Sequence, residues 1–241
     1  MSFADSSVII TGASQGIGRE IARVFVEHTN HPLILIARNK SGLEETKILC
    51  QEKDTNQIVT LPCDLTDSVA VSNLDIPEYM AEPGIIVNNA GYFLLKKLQA
   101  TSSEEFRGQF SSNAITAFNL TQRFLPDLKR QDRGLIVNIC SMEAIKGKGS
   151  SGAYAASKHA LLGYTRSLRK ELLDSQIAVT AINLGQTYST SWEGMNVDPN
   201  QLIDPSDVGK LIVALSEFSP RTVAEEITMR PQHGEIPPDG F

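Results

Sequence analysis

Seven short apolar runs punctuate the chain, at Val8-Ile10, Leu33-Ile36, Ile58-Leu61, Ile85-Val87, Leu135-Ile139, Val179-Ile182 and Ile227-Met229. They lack the in-out alternation of a strand with one wet face, so each is predicted to be a strand covered on both sides. Between them the hydrophobic spacing is helical, at about 16 to 28, 41 to 52, 104 to 125, 154 to 174 and 206 to 217. Two helices carry start signals: Ser102 with Glu105 fits a capping box, and Asp204-Pro205 offers a cap followed by proline at the first helical position. Strand alternating with helix predicts an α/β fold, a parallel doubly wound sheet of about seven strands with helices on both faces. No repeat, low-complexity tract or linker divides residues 1–241, which read as one domain. One long irregular segment, Gly185 to Asp204, carries the only tryptophan, Trp192. It follows the sixth strand, on the side of the sheet where ligands bind in such folds.

Composition narrows the function. At 241 residues and 41% apolar content the chain can bury one sizeable core. A net charge of -6, with no Lys/Arg run longer than Lys96-Lys97, argues against a nucleic-acid footprint and for a small-molecule partner. No apolar stretch reaches the roughly 18 to 20 residues of a membrane span, and the start MSFADSSVII lacks a basic region followed by a leader-like run. A cytoplasmic protein with no membrane partner is expected. Cys50, Cys63 and Cys140 form neither an even disulfide framework nor a C-x-x-C pair, so reduced thiols and no metal site are expected.

The first strand runs into Thr11-Gly12-Ala13-Ser14-Gln15-Gly16-Ile17-Gly18 and then into helical sequence. Glycines there let the backbone turn tightly against a pyrophosphate, whose charge the N–H groups and positive dipole end of the helix would stabilise. A purely structural turn is the alternative. At the end of the second strand, where an acidic residue would bond the ribose of NAD, stand Ala37 and Arg38. An arginine can neutralise the 2′-phosphate of NADP, so NADP(H) is the expected cofactor, against the alternative of an arginine solvated at a strand end.

The fifth strand leads to Ser141, and thirteen residues later come Tyr154 and Lys158 in YAASK. Positions i and i+4 share a helix face, so the phenol and the ammonium can address one site. An ammonium at about 4 Å, in an effective dielectric of about 20, would favour a phenolate by up to roughly 4 kcal/mol, about three pKa units. A tyrosine so placed can shuttle protons. On an ordinary helix the same spacing gives a packed tyrosine and a solvated lysine.

Taken together, the glycine loop, Cys63-Asp64-Leu65, Asn88-Asn89-Ala90-Gly91, Asn113, Ser141 and Y-x-x-x-K resemble the short-chain dehydrogenase/reductase family, with all motifs in order from about residue 5 to 187. The resemblance implies a Rossmann-type sheet, Tyr154 as proton donor in carbonyl reduction, Ser141 holding the carbonyl oxygen, Lys158 binding the nicotinamide ribose and lowering the tyrosine pKa, and Asn113 supporting a water chain. It also implies cofactor contacts at Gly12, Ser14, Gln15, Gly16, Ile17, Gly18, Asp64, Leu65, Asn89, Ala90, Gly91, Gly185 and Thr187, and a homodimer or homotetramer formed through the helices at 104 to 125 and 154 to 174.

The chain departs from the family pattern in three places. Asn183-Leu184-Gly185 stands where relatives have Pro-Gly; the strand before Asn88 is clipped, with Pro77 and Pro83 shortening the preceding helix; and Thr187 to Trp192 departs from the usual cofactor contact. Tyr188 and Trp192 on a short lid suggest stacking on a planar or apolar carbonyl substrate. That stretch and the tail Ser219 to Pro231 resemble bacterial sepiapterin-reductase-like members, which makes a pterin side-chain ketone one candidate beside 3-oxoacyl thioesters, diketones and aldehydes. An oxidative secondary-alcohol dehydrogenase would use the same residues. A non-catalytic NADP-sensing scaffold would not need serine, tyrosine and lysine together.

Overall fold

A computed structural model describes residues 6–51 and 57–236. Its centre is a seven-stranded sheet of β1 (Ser7–Thr11), β2 (Leu33–Ala37), β3 (Ile58–Pro62), β4 (Pro83–Asn88), β5 (Gly134–Ser141), β6 (Ile177–Leu184) and β7 (Glu226–Met229). The spatial order is β3-β2-β1-β4-β5-β6-β7, and every pairing is parallel. Strand order reverses between β1 and β4, and in open α/β sheets a crevice forms at the carboxyl ends of the strands flanking that reversal.

The strand residues are buried on alternate faces, which explains the unbroken apolar runs. Val8 and Ile10 of β1, with Leu33, Leu35, Ile85 and Val87, pack under α1 (Gly16–His28), α2 (Lys40–Gln51) and α7 (Pro205–Glu217) through Ile21, Phe25, Leu43 and Ile212. Ile9, Ile34, Ile86 and Ile136 face the other way, against Leu120, Phe124 and Leu128 of α5 (Thr116–Arg130) and Leu168 and Leu172 at the end of α6 (Gly152–Glu171). The doubly wound, Rossmann-type expectation is met.

Three local features differ from expectation. The helix expected at 104 to 125 runs from 103 to 130: α4 (Ser103–Phe110), a π-helical turn at Ser111–Ile115, then α5. Pro126 does not stop it, because Leu128 anchors the last turn in the core with no exposure. The capping box at Ser102 and Glu105 starts it as expected, with both reciprocal hydrogen bonds formed. An extra one-turn helix, α3 (Ser68–Ser72), is capped by Asp67, whose side chain accepts from the Val69 and Ala70 N–H groups. Finally, the strand before Asn88 is not clipped. β4 spans six residues and pairs with both β1 and β5; Pro83 sits at its first position, where the absent N–H costs least.

Candidate active site

The loop between β1 and α1 is shaped by close approach. Gly12 has φ +65°, and a Cβ there would lie 2.9 Å from Asn89 Nδ2 and 3.0 Å from Ala90 Cα; a Cβ on Gly18 would strike the Gly12 carbonyl oxygen. Two residues lock this loop. Thr11 Oγ1 accepts from the Asn89 and Ala90 N–H groups, each at 2.9 Å, and Asn89 Nδ2 donates to the Thr11 carbonyl at 3.0 Å, so the loops after β1 and β4 are held together. Arg19 donates to the Ser14 carbonyl at 2.6 Å, to the Gly42 carbonyl at 3.3 Å and to Thr46 Oγ1 at 2.9 Å, tying the loop to α2. No side chain caps the N-terminus of α1 and no acid stands in its first turn, so its N–H groups and positive dipole end stay free for an anion. The cradle and its donors fit a dinucleotide pyrophosphate.

A cavity of about 650 Å³ runs from this loop to the carboxyl ends of β4, β5 and β6. Ser141, the last residue of β5, lines it together with Tyr154 and Lys158 from successive turns of α6. Lys158 is 5% exposed, and its Nζ donates to the Ile139 carbonyl at 2.7 Å while lying 5.8 Å from the centre of the Tyr154 ring. Burial pushes its ammonium down to about 8. Burial also pushes the Tyr154 phenol well above its usual range, with the Ser141 hydroxyl pulling back part of the way. Burial governs the phenol here, and the Lys158 ammonium donates to a backbone carbonyl rather than to the tyrosine oxygen. Phe93 packs edge-on against Tyr154, ring centres 5.0 Å apart, and fixes the plane of the phenol.

Asn113 sits in the π-helical turn, 1% exposed. Its Nδ2 donates to the Tyr92 carbonyl and to Ser157 Oγ, both at 3.1 Å, and its Oδ1 accepts from the Tyr92 N–H. The π-turn is the irregularity that swings this side chain onto the loop after β4; such turns are frequent at functional sites.

A family model described as short chain dehydrogenase matches residues 6–200. The chain belongs to the short-chain dehydrogenase family. It is 30% identical over 241 residues to a sepiapterin reductase of Chlorobaculum tepidum, covering 96% of this chain and 98% of that protein. It is 28% identical over 194 residues to a ketoacyl reductase of Nostoc, covering 80% and 66%. Among solved structures, an alcohol dehydrogenase from the archaeon Thermococcus sibiricus, complexed with 5-hydroxy-NADP, superposes with TM-score 0.85 at 23% identity, covering 96% and 99%.

Within this short-chain dehydrogenase the expected residues fall into two groups. Gly12, Gln15, Gly16, Ile17, Asn89, Ala90, Gly91, Asn113, Ser141, Tyr154, Lys158, Gly185 and Thr187 all line the one cavity. Ser14, Gly18, Arg38, Asp64 and Leu65 do not. Ser14 and Gly18 act through the loop itself, the first by its carbonyl to Arg19 and the second by its lack of a Cβ. Arg38 stands exposed just beyond β2 and lowers the Asp64 carboxyl slightly, although the main cause of that lowering is the Thr66 backbone N–H. Asp64 Oδ1 also accepts from the Thr66 hydroxyl, so it closes a turn. Leu65 packs its side chain into the core, and its carbonyl accepts from Asn119.

The lid corrects one expectation. Tyr188 is 47% exposed and outside the cavity wall, while Trp192 lines the cavity and donates its indole N–H to the Thr187 carbonyl at 2.9 Å. Of the two aromatics, Trp192 is the one in the cavity lining. Gln15 Nε2 donates to Thr190 Oγ1 at 2.9 Å, latching the lid to the glycine loop. The missing proline after β6 is compensated: the Gly185 N–H donates to the Met229 carbonyl, and Pro231 lies directly against Gly185, so the tail holds the bend. Sequence reading missed Thr11, Arg19 and the cavity-lining Glu143, Glu193 and Glu235. An acid two residues after Ser141 was a visible signal for Glu143; nothing in the sequence singled out Arg19.

Among the described residues no helix is long and apolar enough to cross a membrane and no cluster could hold a metal ion. All three cysteines are free and buried.

Proposed function

We propose that this oxidoreductase reduces a small ketone or aldehyde with NADPH. The observation that carries the reading is the convergence of Ser141, Tyr154 and Lys158 on the cavity that begins at the glycine cradle. A bound nicotinamide dinucleotide supplies the hydride. The glycine loop and the α1 N-terminus would hold its pyrophosphate, Arg38 its 2′-phosphate, and Lys158 the ribose next to the nicotinamide. Ser141 Oγ donates to the substrate carbonyl oxygen, and Tyr154, kept protonated by burial, gives that oxygen its proton as the alcohol forms. Asn113 fixes the loop after β4 through Tyr92 and supports proton return toward Lys158. Arg38 supports NADP(H) over NAD(H), and a 5-hydroxy-NADP is held by the same fold in the Thermococcus enzyme. The sepiapterin reductase and ketoacyl reductase relatives make a pterin side-chain ketone and a 3-oxoacyl thioester the first substrates to try. A homodimer or homotetramer through α4, α5 and α6 accompanies this reading, as the exposed Phe106, Ile115 and Phe118 along that face support.

The test is NADPH oxidation against a ketone panel by the wild type and Tyr154→Phe. Loss of the proton donor should lower kcat by roughly 10²- to 10⁴-fold. A Phe variant that reduces ketones at the wild-type rate contradicts the assigned role.

A further inference from the structure

We propose that Ser157 is a positioning residue for Tyr154: its hydroxyl ties the backbone of the proton donor to Asn113, and the chemical step slows when that tie is cut; the inference rests on the reductase reading above. Ser157 stands in α6 between Tyr154 and Lys158, directly before the lysine. It has no exposure and is not among the residues that line the cavity, so it acts on a substrate only through its neighbours.

The direction of each bond follows from the donors. The Tyr92 N–H donates to Asn113 Oδ1 at 3.1 Å, which identifies the other end of that amide as the nitrogen. The nitrogen can only donate, so Ser157 Oγ, 3.1 Å away, accepts from it. The Ser157 hydroxyl hydrogen then goes to the Tyr154 carbonyl at 2.7 Å. A serine inside a helix commonly returns its hydroxyl to a carbonyl of the preceding turn, and for that role it needs no second partner. Here the same oxygen also takes a hydrogen from the π-helical turn, so one hydroxyl joins Asn113 to the backbone of Tyr154. The Asn113 end is itself fixed: it bonds both backbone groups of Tyr92, and its Oδ1 occupies the space that a Cβ on Gly91 would need.

Gln109, one helical turn before Asn113 and also without exposure, separates placement from stability. Its amide oxygen accepts from Asn113 Nδ2 at 3.3 Å. Asn113 therefore offers two hydrogens to three acceptors, the Tyr92 carbonyl, Ser157 and Gln109. Without the Ser157 hydroxyl both hydrogens still find acceptors. The Tyr154 carbonyl keeps the bond of the helix ladder but loses its tie to the π-turn. The loss falls on where Tyr154 stands, and misplacing a reacting group by 1 Å can cost about 10²-fold in rate.

The experiment measures single-turnover reduction of the fastest ketone of the panel above by enzyme preloaded with NADPH, for the wild type, Ser157→Ala and Ser157→Thr, with a thermal melt of each. Ser157→Ala should slow the single turnover roughly tenfold, with the KM values for NADPH and ketone little changed, the melt close to wild type and a larger solvent deuterium isotope effect, because proton delivery from Tyr154 has become harder. Ser157→Thr keeps the hydroxyl and should recover most of the rate; if its added methyl lowers the melt, the alanine rate and isotope effect decide. A second arm combines Ser157→Ala with Gln109→Leu. Each single variant leaves Asn113 two acceptors and the pair leaves one, so the double variant should lose more melting temperature than the sum of the two singles. A wild-type turnover rate in Ser157→Ala, a slower rate with an unchanged isotope effect, or additive melts overturns the inference. A wild type that reduces no ketone of the panel removes the reductase reading instead, and the melts still test the bonding of Asn113.

Discussion

The two ends of the cavity are built from different material. At the glycine end the surface is backbone, and it is interlocked: Thr11 bridges the loops after β1 and β4, and Arg19 pins the Ser14 and Gly42 carbonyls. On the lid side the surface is side chain, carried on the segment after β6 and on the tail. Residues 190 to 201 there are mostly exposed, and the lid rests on few bonds, such as Trp192 to Thr187 and Gln15 to Thr190. The first end has its shape before any ligand arrives; the second can re-form around one. A generic cofactor suits the first construction, and a particular substrate suits the second.

Replacing Thr11 attacks the rigid end most directly. Thr11→Val keeps the shape but leaves the Asn89 and Ala90 N–H groups without their acceptor, at about 1 to 3 kcal/mol for a buried donor. A drop in melting temperature of roughly 3 to 10 °C is expected in a thermal melt, together with weaker NADPH binding. An unchanged melt would show that the glycine end is not held in this way.

The junction of the two ends is sensitive to pH. Lys158 has its ammonium pushed down to about 8 from 10.5. Between those values the unfolded chain binds more protons than the folded one at this site, so its contribution to stability rises with pH across that window. Activity should move oppositely, because the ribose contact needs the ammonium: kcat/KM for reduction should fall as pH passes about 8. Chemical unfolding at pH 7 and pH 10 should show the stability rise in the wild type and its loss in Lys158→Met. A wild type whose rate climbs steadily through that range would reject this account of Lys158.

The smallest effect is expected at the lid latch. The bond from Gln15 to Thr190 is exposed, so Gln15→Ala should raise the KM for NADPH by only roughly two- to threefold, with faster hydrogen exchange confined to the segment after β6. A global loss of protection would mean that the lid is part of the rigid end after all.

The same contrast governs how much could be read from sequence. Strands buried on both faces leave unbroken apolar runs, and a backbone cradle needs glycines at fixed spacing, so the sheet, its doubly wound order and the loop from Gly12 to Gly18 were visible. Tyr154 and Lys158 were visible because helical spacing alone puts them on one face. The π-turn that aims Asn113 has no composition of its own, and the continuation of α5 past Pro126 depends on tertiary burial of Leu128. Tyr188 was misplaced, since neither its exposure nor the orientation of the lid follows from local pattern. Glu143 and Glu235 lie about 90 residues apart, and only the fold brings both into the cavity lining.

The most direct test of the glycine end is titration of the protein with NADPH and with NADH, followed by calorimetry or tryptophan fluorescence and repeated on Arg38→Ala. The account predicts NADPH binding at least tenfold tighter, about 1.4 kcal/mol, and a preference erased in the variant. Equal affinities, or tighter NADH binding, would make Arg38 a surface charge and bring the oxidative dehydrogenase reading forward. Failure of both cofactors to bind would contradict the cradle itself.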